Sequence, residues 1–492
     1  MTQSAPLTSE TTAPTIDDSE AAHHAVSRGY GLEIILWLLE RPVWLLLALP
    51  TLLAAAAFGL ASIWIPEFRW LMAAGTWLAV PVCGVLIPLL LLVWRSYGHD
   101  NGPADWAPFV SFKDEKDKKR WQGKKVPMEI VYEAFMAGKL DFKQDLYETM
   151  LRRNSLFRFC FTWGDVKFYF REFLGTNVSH SIDADRGDIA HVYNRGNDFY
   201  HWFLGDTMVY TSGIFNDVDE TLEQAQARKL ATVCRYVQMK PGDRHLDIGS
   251  GWGPLCNYAA AEHGTISTGI TLAEEQAKWA RLRAEEAGVA DRVRFIVDDY
   301  RNLPKAKWDK ITCLEMAEHV GIKNFQKFLI QVNDMLQDDG IFYLQIAGLR
   351  RPWQFEDLVW GLFMAKYIFP GADASCPLGF VVSQAERAGF EVHRVENCGV
   401  HYGVTIHKWY NNWISNRDAI VEKYGERWFR MWSMFLAWSV MIGRQGSSTV
   451  FMITLTKNTK NDRSTVSPEA AAKEAFSRTE RWIGNRPVAT QQ

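Results

Sequence analysis

An open, doubly wound α/β sheet lying behind a pair of membrane-length apolar helices is the architecture this sequence predicts, and three observations predict it. A short apolar strand runs into a glycine loop and a helical stretch around residue 250. Four more strand-like runs alternate with polar helical stretches behind it, and two uncharged apolar runs stand near the N-terminus. Composition permits this. With 492 residues, 48% of them hydrophobic and 23% charged, there is material for a sizeable core, and a formal net charge of -3 supplies no global attraction to nucleic acid, which is not expected as a partner. The 7 cysteines, Cys83, Cys160, Cys234, Cys256, Cys313, Cys376 and Cys398, are scattered and contain no C-x-x-C pair. That argues against a disulfide scaffold or a structural zinc site and suits a reducing compartment; no metal is expected. Aromatic residues make up 13% of the chain, and both a bilayer interface and a packed core can use them.

From the N-terminus, residues 1–29 are rich in Ser, Thr, Ala and acids, so burial cannot offset the entropy of ordering them, and a disordered tail is expected. Residues 30–95 hold the hairpin. The runs 42–65 and 70–94 carry no charge, and each is long enough, at about 1.5 Å per residue, to cross a hydrocarbon core of roughly 30 Å. Only Pro66, Glu67, Phe68 and Arg69 join them, so two transmembrane helices here leave both chain ends on one side. Beyond the second run come Arg95, Lys113, Lys116, Lys118, Lys119, Arg120, Lys124 and Lys125, against Arg69 alone in the turn, which puts the body in the cytosol. Asp114, Glu115 and Asp117 offset part of that charge, so a solvated linker and a headgroup patch both stand as readings. Residues 96–188 form the linker. Within 151–174, Phe157, Phe159, Phe161, Trp163, Phe168, Tyr169, Phe170 and Phe173 interleave with Arg152, Arg153, Arg158, Lys167 and Arg171, as an interfacial segment or as a helix packed on the next domain.

The domain expected over 189–457 begins its chemistry at His245-Leu246-Asp247-Ile248, a short strand followed by Gly249-Ser250-Gly251-Trp252-Gly253 and a helix containing Ala259, Ala260 and Ala261. Glycines let the backbone turn tightly and approach a ligand, and the helix start behind them carries positive partial charge. Strand-like runs follow at 267–272, 294–299, 310–316 and 340–347. The spacing D-x-G-x-G-x-G differs from the dinucleotide pattern G-x-G-x-x-G, and Gly269-Ile270-Thr271-Leu272 ends its strand with no carboxylate for a ribose. Both point away from NAD and toward S-adenosylmethionine, hence to a class I S-adenosylmethionine-dependent methyltransferase with a Rossmann-like sheet. Asp247, Gly249, Gly251 and Gly253 are expected to form the donor pocket, a Cβ at Gly249 obstructing the ligand. Asp298-Asp299-Tyr300 offers an acid and a ring for adenine, or a plain turn. The aromatic stretch within 349–380 reads as a lid over an acyl chain or as a core helix, and 458–492 as a C-terminal tail.

These motifs stand in order with the run 191–200 (HVYNRGNDFY), Tyr210-Thr211-Ser212, Gln276, Asp299-Tyr300-Arg301, Glu318-His319-Val320-Gly321, Tyr367-Ile368-Phe369-Pro370 and His401-Tyr402. Together they resemble the cyclopropane fatty acid synthases and their mycolic-acid relatives. The hairpin and long linker are similar to those of the fungal sphingolipid C9-methyltransferases, which methylate the sphingoid base of ceramides and glucosylceramides. The resemblance implies a lipid substrate, a multi-pass location in the endoplasmic reticulum membrane, and donor contacts from Tyr210, Thr211, Gly249, Gly251, Thr271, Leu272, Gln276, Asp299 and Tyr300. It also implies a bicarbonate base at Ser212, Glu318, Gln345 and Tyr402. The glutamate and tyrosine of that set are kept; serine and glutamine stand where the family has cysteine and histidine, which puts bicarbonate in question.

An alkene is a weak nucleophile, so its methylation rests on alignment and on stabilising the cation that follows, tasks for a dry aromatic pocket and a placed carboxylate. Glu318 and Tyr402 are expected to position or be the base, Glu318 having a helix cap as its plain alternative, and His319 is read as structural. Loss of a proton from the new methyl closes a cyclopropane, whereas loss from the carbon that received it leaves a branched alkene. The substitutions at Ser212 and Gln345 favour the alkene, a 9-methyl, 8-unsaturated sphingoid base. Two alternatives remain: a cyclopropane-forming synthase, and a non-catalytic membrane-tethered lipid-binding protein. No obligate protein partner is inferred.

Overall fold

The computed structural model describes residues 43–81, 93–96, 100–168, 171, 196–217, 219–304, 306–350, 354–370 and 376–459. The two tails apart from residues 458–459, residues 82–92 of the second apolar run and residues 191–195 of the first family motif lie outside them. Seven strands make the main sheet: β1 (Arg244–Ile248), β2 (Ile266–Thr271), β3 (Val293–Val297), β4 (Trp308–Leu314), β5 (Leu336–Leu349), β6 (Phe390–Asn397) and β7 (Ser448–Lys457). Their order is β6-β7-β5-β4-β1-β2-β3, with β7 antiparallel to both its neighbours and the other pairs parallel. The strands expected at 245–248, 267–272, 294–299, 310–316 and 340–347 are β1 to β5 within a few residues. β6 and β7, which complete the sheet, were not among the strands read from the sequence, although Gly389 and Gly446 stand just before them.

The central strands are buried on both faces: Leu246, Ile248, Ile311, Cys313, Phe342, Leu344 and Ile346 are closed to solvent on one, and His245, Asp247, Thr312, Tyr343 and Gln345 on the other. The helix Ile322–Met335 covers one face with Phe325, Phe328, Leu329 and Val332, spaced at i, i+3, i+4 and i+7. On the other side of β1 from β4 the chain reverses its winding, and the crevice between the carboxyl ends of β1 and β4 is where an open sheet of this kind binds ligands.

A second, aromatic core joins linker to domain. Phe157, Phe159 and Phe161 are buried in it beside Phe199, Tyr200, Phe203, Trp413, Trp432 and Trp438. Of the two readings of the 151–174 stretch, burial supports packing for these residues; only Trp163 among its described aromatic rings is exposed, at 80%. Edge-to-face pairs such as Phe199 with Trp432 (4.8 Å) and Phe203 with Trp413 (6.1 Å) each add about 0.5–1.5 kcal/mol beyond burial. Arg153 clamps Glu356 through Nε (2.5 Å) and Nη2 (3.2 Å), and Trp438 Nε1 donates to the same carboxylate (2.9 Å), so linker, the helix Phe355–Phe363 and the long helix Glu426–Arg444 are pinned together. Of the two readings of the 349–380 stretch, burial of Phe355, Val359, Trp360 and Phe363 in this core supports a core helix.

Near the N-terminus, Val43–Trp64 is one uncharged helix, joined by the turn Pro66–Phe68 to a second, Arg69–Pro81, that packs against it. Among the described residues no helix is long and apolar enough to cross a membrane. The described cysteines are buried free thiols.

Candidate active site

One cavity opens at the carboxyl ends of β1, β2 and β4. Tyr210, Thr211, Asp247, Gly249, Gly251, Thr271, Leu272, Gln276, Asp299 and Tyr300 all line it. Gly253 does not. It starts the helix Pro254–His263 at φ 77°, and a Cβ there would lie 2.5 Å from Phe295 Cζ and 2.7 Å from Ala280, so its role is packing between helix and sheet.

The two cavity glycines also differ. At Gly249 (φ 81°) a Cβ would meet Met316, another residue of the cavity wall, at 2.5–2.6 Å, so a side chain there would displace that wall. At Gly251 (φ 54°) a Cβ would meet nothing within 4 Å, and that open space is the cradle. The backbone N–H groups of Gly249 and Ser250 both donate to Ile270 O (2.9 Å), fixing the loop to β2. Ser250 Oγ is buried on the cavity wall and makes no hydrogen bond among the described residues, a polar atom left for a ligand. Trp252 Nε1 donates to Asn197 Oδ1 (2.7 Å), which ties the described part of the first family motif to the loop.

Asp247 ends a relay of hydroxyls beneath the loop. Thr312 Oγ1 donates to Asp247 Oδ1 (2.7 Å) and contacts His245 Nε2 (2.8 Å), whose Nδ1 contacts Ser267 Oγ (3.0 Å). Burial holds His245 down to about 3, so the ring is neutral; with the hydroxyl proton of Thr312 spent on Asp247, Nε2 is the nitrogen that carries hydrogen. Burial pushes Asp247 up to about 6, opposed by Thr312 and by the ammonium of Lys229. Thr271 Oγ1 donates to Gln276 Oε1 (2.7 Å), and Asp299 is held in a fork by Arg301 Nε and Nη2 (2.7 Å each).

Two charged residues missed by sequence reasoning stand in the same wall. Lys229, on the helix Leu222–Tyr236, is buried and donates from Nζ to Thr211 Oγ1 (2.6 Å); burial pushes it down to about 8 while Glu315 and Asp247 pull it back up. Glu315 follows β4 at φ 52°, a left-handed backbone that non-glycine residues seldom adopt. Its Oε1 accepts from Ser212 N–H (3.0 Å) and from Gln345 Nε2 (2.6 Å). It is half-buried because its open side faces the cavity, and desolvation holds it above the ordinary carboxylate range against Ser212, Gln345 and Lys229.

The four residues implied to hold bicarbonate are therefore not arranged around a free anion. Ser212 and Gln345 meet through Glu315. Glu318, in the one-turn helix Ala317–His319, sends Oε1 to Ala347 N–H on β5 (2.5 Å), while its Oε2 is buried without a hydrogen bond among the described residues. No side chain caps the following helix, so Glu318 is not its cap. Burial first, and the Glu315 charge second, push Glu318 up to about 8. Tyr402 is half-buried where two hydrophobic clusters meet, on the helix Gly399–Ser415, which latches the 211–215 segment by accepting from Gly213 N–H at Thr405 Oγ1 (2.9 Å) and from Phe215 N–H at His401 Nδ1 (3.2 Å). Phe369, just after the helical turn Met364–Ile368, comes within 6.4 Å of the Tyr210 ring and 6.3 Å of His319. The site thus combines carboxylates, aromatic faces and little free positive charge, an environment that favours a cation.

A family model described as mycolic acid cyclopropane synthetase matches residues 180–453. Sphingolipid C9-methyltransferase A of Emericella nidulans is 48% identical over 387 residues, which cover 76% of this chain and 75% of that protein. The sphingolipid C9-methyltransferase of Komagataella phaffii is 47% identical over 389 residues, 76% of this chain and 80% of that one. Among solved structures, mycolic acid cyclopropane synthase CmaA1 complexed with SAH and CTAB superposes with a TM-score of 0.53 at 23% identity, covering 55% of this chain and 98% of that chain.

Proposed function

The chain belongs to the mycolic acid cyclopropane synthetase family and, within it, to the sphingolipid C9-methyltransferases; from this we propose that it methylates carbon 9 of the 8-unsaturated sphingoid base of a ceramide or glucosylceramide. The fold is that of a class I S-adenosylmethionine-dependent methyltransferase, and S-adenosylmethionine is the donor. The observation that carries the reading is the convergence of the ten donor-site residues on one cavity, with two buried carboxylates and an aromatic wall beside them.

The residues present fit the donor. Gly251 leaves room, Ser250 Oγ is unsatisfied, Asp247 suits a cationic ligand, and Tyr300 offers a ring next to Asp299. When bound, S-adenosylmethionine supplies a methyl group made electrophilic by its sulfonium, the carbon–sulfur pair staying on sulfur. The chain's own work is alignment and charge: Asp247 is fixed by Thr312, the loop is fixed to β2, and Tyr210 on the cavity wall, with Phe369 6.4 Å from it, offers an aromatic surface to a cation.

The apolar hairpin is read as a two-span anchor, supported by large apolar side chains turned outward: Leu60 (61% exposed), Ile63 (76%), Trp64 (80%), Trp70 (71%) and Leu71 (72%). With the basic residues that follow it, this supports a catalytic body on the cytosolic side of the endoplasmic reticulum membrane. Supplying donor with a trideuterated methyl and weighing the product lipid tests the reaction. Retention of all three deuteriums is the expected result; retention of two means that the methyl lost a proton and a ring was formed.

A further inference from the structure

Given the methyltransferase reading above, we propose that Glu315 is the base of this site, the group that takes the proton released when the double bond is restored, in place of a bound bicarbonate. The geometry around its carboxylate is that of a held anion. Oε1 accepts two N–H groups, from Ser212 and Gln345, and the second is aimed, because Tyr343 O–H donates to Gln345 Oε1 (3.1 Å) and so fixes which end of the amide faces the glutamate. The ammonium of Lys229 supplies the opposite charge from a fully buried position. The other carboxylate oxygen makes no hydrogen bond among the described residues, and the side chain lines the cavity. All this is maintained at φ 52°, where a residue with a Cβ costs about 1–2 kcal/mol. Strain of this kind persists where the surroundings over-determine it, and here they do so by aiming the carboxylate.

Glu318 is the weaker candidate. One of its oxygens is committed to Ala347 N–H, it does not line the cavity, and the charge of Glu315 favours its protonated form. Bicarbonate fits no better. The donors that Ser212 and Gln345 would offer it are spent on Glu315, and an added anion about 4 Å from that carboxylate would be repelled by about 4 kcal/mol at an effective dielectric constant of 20. The step balances without a further reagent. The C–H bond on the carbon that received the methyl breaks, its electron pair becomes the π bond to the neighbouring cationic carbon, and the proton goes to the free carboxylate oxygen of Glu315, which later returns it to water.

The test uses the full chain in detergent micelles. Glu315→Gln should bind S-adenosylmethionine within about threefold of wild type by calorimetry and unfold at a similar temperature, while turnover falls about 10²–10⁴-fold, the usual worth of a general base. Glu315→Asp keeps the anion and should recover at least tenfold over the glutamine variant. Glu315→Gly relieves the strained backbone and vacates the carboxylate's place, so added formate should raise its turnover at least tenfold. Wild-type turnover in carbonate-free buffer should be unchanged. Turnover of Glu315→Gln within tenfold of wild type, loss of donor binding in that variant, or a wild type that needs bicarbonate would each overturn the assignment. A wild type that neither binds donor nor methylates lipid would instead remove the methyltransferase reading, and this inference with it.

Discussion

Replacing Glu318 by glutamine should stabilise the protein, by little at pH 5 and by much at pH 9. Glutamine matches the shape of the protonated acid: its Oε1 can keep the bond from Ala347 N–H, and its amide occupies the side on which Oε2 now has no partner. In the unfolded chain the carboxyl titrates near 4.5, in the folded one near 8, because burial and then the Glu315 charge disfavour ionisation. Between those values the folded state holds a proton the unfolded state has lost, so stability falls as pH rises. At 1.36 kcal/mol per unit, the loss is on the order of 3 kcal/mol by pH 7 and on the order of 5 kcal/mol by pH 9. The variant has no such slope. Urea unfolding of both proteins at pH 5, 7 and 9 and constant salt reads the difference directly, with the titrating groups that are not coupled to Glu318 cancelling between them. Parallel stability curves would refute the reasoning, and so would a variant less stable at every pH. Since the native group is protonated at neutral pH, turnover of the glutamine variant should fall by no more than about tenfold, in contrast to Glu315→Gln.

Gly251→Val should weaken donor binding at least about a hundredfold in calorimetry while the chain stays folded, because its side chain enters open space in the cradle; Gly249→Val should instead lower the unfolding temperature, because Met316 is in the way. Arg153→Met strands the buried Glu356 carboxylate and should cost about 3–5 kcal/mol in denaturant unfolding, more than the double replacement of both residues by methionine. A double variant less stable than Arg153→Met would contradict this. Deleting residues 42–94 should release the protein from carbonate-washed membranes, and retention there would dispose of the two-span anchor.

What the sequence made legible was whatever a local pattern determines. The glycine loop was visible because D-x-G-x-G-x-G places three positive-φ residues after a strand; β4 and β5 were visible because strands buried on both faces read as apolar runs, and the edge strand β3 (VRFIV) because β-branched and aromatic residues favour strands. β6 escaped because its burial alternates along an edge, leaving an ordinary polar-apolar pattern. The aromatic run at 157–168 was ambiguous because rings suit a bilayer surface and a core equally; the partners that settle it, Trp413, Trp432 and Trp438, lie some 250 residues further along the chain.

Glu315 shows why the site itself was only half legible. In sequence it is one acid three residues before another, Glu318, and a pattern reader assigns the chemistry to the residue that fits the family motif. What distinguishes Glu315 is a left-handed φ, an amide aimed at it from β5 and a lysine from a helix more than eighty residues earlier, none of which leaves a periodic trace. The substitution of serine and glutamine in the bicarbonate positions was visible, but it read as a loss. In the fold the backbone N–H of Ser212 and the side chain of Gln345 are the two donors to the Glu315 carboxylate, so the same two residues serve an anion carried on the chain. A departure from a family pattern is then informative only together with what its neighbours can reach, and that reach is set by tertiary structure.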